Sequence, residues 1–298
     1  MKLAIFFSDG LIGNVTISKL VPQIIAMGIE PVLIKGNGPA VKRAKIPELH
    51  SLSFLETSLL TNVVEPFFVS KNSSEHAECT TISGLAEKYN LELLETDDVN
   101  SPKFAEMLFN EKKIMHGVSI RFYPKFGKEI IDRFRECGFL WNLHTGLLPK
   151  YKGVFIPYRA IENNDTHYGW TLHNVNYEID CGSIIALDKL PLNKQKPVLN
   201  TYLNMCEKGA AMIMGALMFF QKRGTIPSQK QTTYFDSYYT FPTAQEMQQW
   251  QAKGVIFSHD IIETYTSLFT SKGSTGEKQL HAELEKAIDQ HALKRKAA

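Results

Sequence analysis

Cysteine is scarce and scattered in this chain: Cys79, Cys137, Cys181 and Cys206 are the only four in 298 residues. They lack paired-ligand spacing, which argues against a disulfide framework or a zinc site and for reduced thiols in the cytoplasm. An excess of one charge is missing too. The 33 Lys and Arg residues against 31 Asp and Glu leave +2, so nothing in the overall charge calls for DNA or RNA as a partner. Long hydrophobic runs are also absent. The most apolar stretch, Gly209 to Phe220, falls short of the roughly 20 residues that span a bilayer. The short apolar run within Met1 to Gly10 has strand length and no small-residue cleavage site, so neither a membrane segment nor a signal peptide is expected. No internal repeat or low-complexity tract is visible. What the chain does have is 44% hydrophobic residues, enough to bury a core unaided and to make small-molecule chemistry the first expectation.

Lys2 to Phe7 reads as a buried strand, Ser8 to Asn14 as a turn, Val15 to Met27 as a helix closed by Gly28, and Pro31 to Ile34 as a second strand. Strand, turn, helix, strand opens a doubly wound α/β fold with a mostly parallel sheet. From Gly36 to Ser74 the periodicity decides little. The rhythm returns with a helix at Thr80 to Tyr89, a strand at Leu91 to Leu94, a helix at Pro102 to Asn110 and a strand at Ile114 to Ile120. A helix near Gly127 to Arg135 then leads into a strand over Gly138 to His144, ended by the loop holding Pro149. A short helix from Pro157, extended segments at Gly169 to Val175 and Ser183 to Leu190, and a long helix over Pro197 to Arg223 follow. These place a first domain at residues 1–223 and a smaller C-terminal appendage at 224–298, with an aromatic run from Tyr234 to Phe241 and helices beyond it.

Residues two apart on a strand face the same side, so Asn142 and His144 project together from the C-terminal end of their strand. Open α/β sheets place their sites there. The loop Thr145 to Gly153 follows, made rigid by Pro149 and closely approachable at its glycines. Downstream, Asp180 sits in the turn Ile179-Asp180-Cys181-Gly182 between two extended apolar segments. An amide, an imidazole and a carboxylate are the residue types that stabilise an oxyanion and move a proton in acyl transfer.

Asn-x-His, then Leu-Leu-Pro-Lys-x-x-Gly, then Asp-x-Gly at this distance resembles the folate-dependent formyltransferase family, most strongly from Ile114 to Ile185. The resemblance implies formyl transfer from 10-formyltetrahydrofolate, as co-substrate and without a metal, to a primary amine. Asn142, His144 and Asp180 are then the catalytic residues. It further implies that the folate is held largely by the loops at Gly117 to Phe122 and Val175 to Gly182, which gives Gly117, Val118, Ser119, Ile120, Leu148, Val175, Ile179 and Gly182 as cofactor contacts. One departure is Gly146, where the family commonly has serine before Leu-Leu-Pro. The first turn carries Gly10 and Gly13 without a full G-x-G-x-x-G, so no NAD site is expected from it.

Several features take the plainer reading. Asp-x-Gly is also ordinary turn chemistry; only its spacing from Asn142 and His144 points to catalysis. His173 and Asn174 are read as hydrogen-bonding neighbours, and Met205, Met212, Met214 and Met218 as core packing. The basic runs Lys42-Arg43-Ala44-Lys45 and Lys294-Arg295-Lys296 default to solvated surface, the first being a candidate contact for an anionic acceptor. The expected acceptor is a small molecule, foremost a nucleotide-linked amino sugar. Methionyl-tRNA formyl transfer and 10-formyltetrahydrofolate hydrolysis are the alternatives, and the short, modestly basic tail speaks against tRNA. The aromatic run from Tyr234 could form a homodimer surface or stack an acceptor base.

Overall fold

A computed structural model describes residues 1–37, 46–71, 77–232 and 238–297, leaving aside the side chains of 70–71 and 295–297. The basic run 42–45 and residues 234–237 of the aromatic run lie outside the described residues. The chain alternates β1 (Lys2–Phe7), α1 (Leu11–Ala26) and β2 (Glu30–Gly36), and continues through α2 (Pro47–Ser53), α3 (Glu65–Lys71), α4 (Ile82–Tyr89), β3 (Glu92–Thr96) and α5 (Pro102–Ala105). Then come β4 (His116–Ile120), α6 (Lys128–Cys137), β5 (Phe139–His144), the two-residue β6 (Lys152–Gly153), α7 (Ile156–Glu162), β7 (His167–Asn174), β8 (Ile184–Pro191) and α8 (Val198–Arg223). A second two-residue strand, β9 (Tyr238–Tyr239), precedes α9 (Ala244–Ala252), α10 (Ile261–Phe269) and α11 (Thr275–Ala297).

Seven strands form one sheet in the order β3-β2-β1-β4-β5-β7-β8. The first five run parallel and β7 and β8 antiparallel. Strand order reverses between β1 and β4, and the crevice outside the carboxyl ends of those strands is where doubly wound sheets bind ligands. Ser8 ties that crevice together: its hydroxyl donates to the Gly36 carbonyl after β2 at 3.0 Å and accepts the Tyr123 N–H beyond β4 at 3.2 Å. Helices cover both faces. Phe6, Ile34, Phe104, Ile130, Phe134 and Leu140 belong to the core on one side, while Ile5, Leu20, Trp141, Trp170, Met205 and Ile213 belong to the larger core on the other.

Three local expectations change. The first helix begins at Leu11, not Val15, because Leu11 and Ile12 are fully buried and Asn14 is tied by its side chain to the Thr80 carbonyl and the Ile82 N–H. Tertiary burial overrides the turn propensity of Gly13 and Asn14. The unreadable stretch is helical from Pro47, with wide π-type turns at Phe54–Ser58 and Leu60–Val64 that break the 3.6-residue period. Met205 is fully buried as expected, but Met218 is 57% exposed.

Met247, Trp250, Tyr265, Phe269, Leu280 and Leu284, all from the C-terminal segment, pack into the same core as the sheet. No helix among the described residues is long and apolar enough to cross a membrane.

Candidate active site

Asn142 and His144 lie at the carboxyl end of β5, and the antiparallel pairing of β5 with β7 sets His173 directly opposite Asn142. After β7 the chain turns back over the strand end through Asp180, a non-glycine residue with φ 56. Left-handed backbone at an Asp costs on the order of 1 kcal/mol and persists only where its surroundings hold it. Here Gln231 holds it: its side-chain N–H groups donate to the carbonyls of Asp180 at 2.8 Å and Gly182 at 2.7 Å. The Asp180 carboxylate in turn accepts the Gly153 N–H at 2.8 Å and stands 3.5 Å from His144 Nδ1 and 3.6 Å from His173 Nε2.

Hydrogen positions follow from the acceptors. His144 Nε2 is 2.6 Å from the Tyr151 carbonyl, which can only accept, so Nε2 carries a proton. That leaves Nδ1 facing the Asp180 carboxylate. His173 Nδ1 donates to the Asn174 carbonyl at 2.9 Å, so its Nε2 lone pair takes an N–H of Asn142 at 3.0 Å. The Asn142 oxygen accepts the Ser119 hydroxyl at 2.7 Å. The amide is fixed from both ends, and one of its two N–H groups remains for a ligand.

His144 is 6% and Asp180 7% exposed. Burial pushes the His144 imidazole below its ordinary value, against the opposing pull of Asp180. For Asp180, burial works against ionisation, but the neighbouring imidazoles and the Gly153 N–H prevail and hold the carboxyl down to about 2. At neutral pH the site therefore contains a carboxylate beside a neutral imidazole, able to take up one proton between them.

The structure brings Asn142, His144 and Asp180 together. It adds His173, and it gives the Tyr151 carbonyl and the Gly153 N–H, both in the loop expected to wall the site, roles that the sequence does not assign. His173 has the right alternation on its strand, but only the strand pairing reveals that it faces Asn142. Gly146 is also explained: a Cβ there would lie 2.6 Å from the Tyr151 oxygen and 2.7 Å from His144 Nε2, inside the bond that orients the imidazole.

Of the expected folate contacts, Val175 and Gly182 line a cavity of about 490 Å³ together with Leu140, Asn174, Cys181 and Gln231. Leu148 is buried and donates its N–H to the Thr171 hydroxyl, while Ile179 is 44% exposed. Gly117, Val118, Ser119 and Ile120 sit within β4, paired to β1 on one side and β5 on the other. Their backbone groups are committed to the sheet, and Ser119 acts through Asn142. The part of that segment open to a ligand is Arg121 and Tyr123, which line a second cavity, of about 480 Å³, at the β1–β4 crevice. Val154 and Phe155 also line it, directly after the Gly153 that binds Asp180. The chain neighbours of this contact line one cavity each: Val154, after Gly153, the second, and Cys181 and Gly182, after Asp180, the first. Among the described residues no group of three or more His, Cys, Asp or Glu could hold a metal ion.

A doubly wound sheet with a buried amide, imidazole and carboxylate at its carboxyl edge defines an α/β protein whose strand ends carry residue types suited to acid–base and oxyanion chemistry. Residues 118–217, which contain the whole trio, match the family model described as formyl transferase. The methionyl-tRNA formyltransferase of Halothermothrix orenii is 29% identical over 161 residues, 53% of this chain and 49% of that protein. The phosphoribosylglycinamide formyltransferase of Haemophilus influenzae is 35% identical over 99 residues, 33% of this chain and 43% of that one. The chain spans about half the length of the curated relatives it matches. Among solved structures, an N-formyltransferase from Helicobacter canadensis, in complex with folinic acid and dTDP-3-aminofucose, superposes with a TM-score of 0.53 at 19% identity, covering 83% of this chain and 72% of that one. Glycinamide ribonucleotide transformylase 1 from Symbiobacterium toebii gives 0.53 at 15% identity, covering 78% and 94%. These likenesses show a shared fold. The match to the formyl transferase family model is confined to residues 118–217, about a third of the chain.

Proposed function

We propose that the protein transfers a formyl group from 10-formyltetrahydrofolate to a primary amine of a small molecule. The observation that carries this reading is the buried His144–Asp180 pair, 3.5 Å apart, with the Asn142 amide fixed beside it. The amine lone pair attacks the formyl carbon, and the carbonyl electron pair moves to oxygen. The free N–H of Asn142 stabilises that oxyanion, a donor worth about 3 kcal/mol in the transition state, while His144 orients the Asp180 carboxylate beside it. Asp180, directly or through water, takes the proton that the amine must lose. Collapse breaks the bond to the folate nitrogen, which leaves with a proton.

The folate is assigned to the cavity of Leu140, Val175, Gly182 and Gln231, and the amine to the cavity of Arg121, Val154 and Phe155. Phe139, Leu140 and Val175, set among the polar Asn174, Ser183 and Gln231, suit a flat heterocycle with polar groups on its rim. The four free thiols accord with a reducing compartment such as the cytoplasm. Among acceptors, a nucleotide-linked amino sugar is supported by the Helicobacter canadensis structure and a methionyl-tRNA by the Halothermothrix orenii relative.

The test is amine-dependent release of tetrahydrofolate by the purified chain. Asn142→Ala, His144→Ala and Asp180→Ala should each lower kcat by about 100-fold or more. Full formyl transfer by the His144 and Asp180 variants would refute the assignment. Turnover without any amine would turn the reading to hydrolysis.

A further inference from the structure

The 480 Å³ cavity has an electrostatic character that the formyl-transfer chemistry does not require. Among the described residues its lining includes three carboxylates, Asp9, Glu56 and Asp97, and one cation, Arg121. That cation already has a carboxylate partner. Arg121 Nη2 lies 2.8 Å from Glu56 Oε1 and 3.0 Å from the Tyr123 hydroxyl, and its guanidinium is flanked by the Tyr123 and Tyr202 rings at 5.6 Å each. A guanidinium paired with a carboxylate in this way offers a phosphate less net positive charge than a free one.

The surroundings add to the imbalance. Lys35 is held by Asp9 at 2.9 Å and also meets Glu95 at 3.5 Å. Glu65 lies close enough for the charge of Asp9, after burial, to raise its carboxyl above the usual range. Asp97 receives the Asn37 amide at 2.9 Å and no cation among the described residues. Asp9, two residues ahead of α1, already puts a negative charge near the positive end of that helix, where a phosphate would otherwise be favoured. Leu49, Leu52, Phe155, Phe241 and Phe257 add an apolar and aromatic wall, beside the neutral polar Ser53 and Thr57. Among the described residues, this cavity is built for an apolar body with positive charge.

We propose that the acceptor is a small aliphatic diamine or basic amino acid: one amine reacts at Asp180 while a second, still protonated ammonium is held on the Asp9–Asp97 side. This rests on the formyl-transfer reading and narrows its acceptor. A primary aliphatic amine is an ammonium at neutral pH, so the acidic cavity concentrates it. The reacting ammonium alone gives up one proton to solvent to expose its lone pair and a second, to Asp180, once the bond to the formyl carbon has formed; the other ammonium stays charged and sets the depth at which the chain of carbons lies. A nucleotide-linked sugar brings two or more negative charges into the same space and, among the described lining residues, meets more carboxylates than cations.

The experiment compares putrescine, ornithine, n-butylamine and a dTDP-linked amino sugar as acceptors for the purified full chain with 10-formyltetrahydrofolate, following tetrahydrofolate release. Putrescine or ornithine should exceed n-butylamine and the nucleotide sugar by about tenfold or more in kcat/KM, and KM should rise with salt. Asp97→Asn should raise the KM of the diamine about fivefold and that of n-butylamine by clearly less. Turnover confined to the nucleotide sugar, with dTDP as a competitive inhibitor, would overturn the proposal and leave formyl transfer standing. So would an Asp97→Asn variant with unaltered diamine KM. Absence of folate turnover with every amine, while folinic acid also fails to bind, would overturn the parent reading as well.

Discussion

At the scale of single residues, the site depends on charge held away from water. Asp180 titrates at about 2 instead of 3.8, so the folded protein keeps this carboxylate more readily than the unfolded chain does. The stabilisation is complete above pH 3.8 and vanishes as pH falls toward 2, and it amounts to about 2 kcal/mol. His144 is displaced downward from 6.5, chiefly by burial. The folded state then binds that proton less readily than the unfolded chain, so its contribution is complete above pH 6.5 and declines as acid is added below it. Thermal unfolding of the wild type should therefore lose stability in two acid stages. Asp180→Asn should abolish the lower one, and a variant melting curve that still fell between pH 3.8 and 2 by the same amount would contradict this. Gln231 makes the second residue-level case. Its two bonds brace the Asp180 turn without reaching the reacting atoms, so it is a positioning residue. Gln231→Leu should lower kcat about tenfold, the worth of two neutral hydrogen bonds. KM for the amine should change little. An equal rise in KM with unchanged kcat would instead mark Gln231 as a binding residue.

At the scale of elements, the site is assembled by pieces that differ sharply in how well a sequence displays them. The continuous apolar runs of β1, β4 and β5 are what strands buried on both faces look like, and Asn142 and His144 could be placed on one strand end from alternation alone. The helical run that follows residue 46 was hidden because its wide turns shift the apolar face out of register. β6 and β9 were hidden for another reason. Each is two residues long, and neither has periodicity to show; their pairing of Lys152 with Tyr238 and Gly153 with Tyr239 exists only in three dimensions. Yet this bridge presents the N–H that fixes Asp180. Gly153 adopts φ +96, and a Cβ would collide with the Tyr239 backbone. Gly153→Ala should cost about 2 kcal/mol or more of stability and lower kcat in the same protein, because the strand must move away from Asp180. A melting temperature and turnover both within error of wild type would show that the bridge is dispensable.

At the scale of the whole molecule, the question is whether residues 224–298 form an appendage, as the change in composition after the long helix suggests. Composition marks a boundary but does not report what packs against what. The Tyr265 hydroxyl donates to the Leu55 carbonyl at 2.8 Å, next to the Glu56 that pairs with Arg121. The Cys79 N–H donates to the Leu268 carbonyl at 2.8 Å, and the N–H groups of Val198 and Leu199 donate to Ile256 and Phe257 at 2.9 and 2.8 Å. Phe241 and Phe257 form part of the cavity assigned to the amine. We propose that the segment is a structural part of the single core and the floor of the acceptor site. Trp250, 1% exposed and stacked on Tyr158 at 4.9 Å, makes the consequence measurable: Trp250→Ala should cost about 3 to 5 kcal/mol. A chain ending at Arg223 would expose that core and lose a wall of the cavity together. It should be recovered as aggregate or unfold without a cooperative transition in circular dichroism. If instead the shortened chain stayed monomeric in gel filtration, melted cooperatively and kept its turnover of folate, the segment would be separable, and the acceptor cavity would have to be drawn from the sheet edge alone.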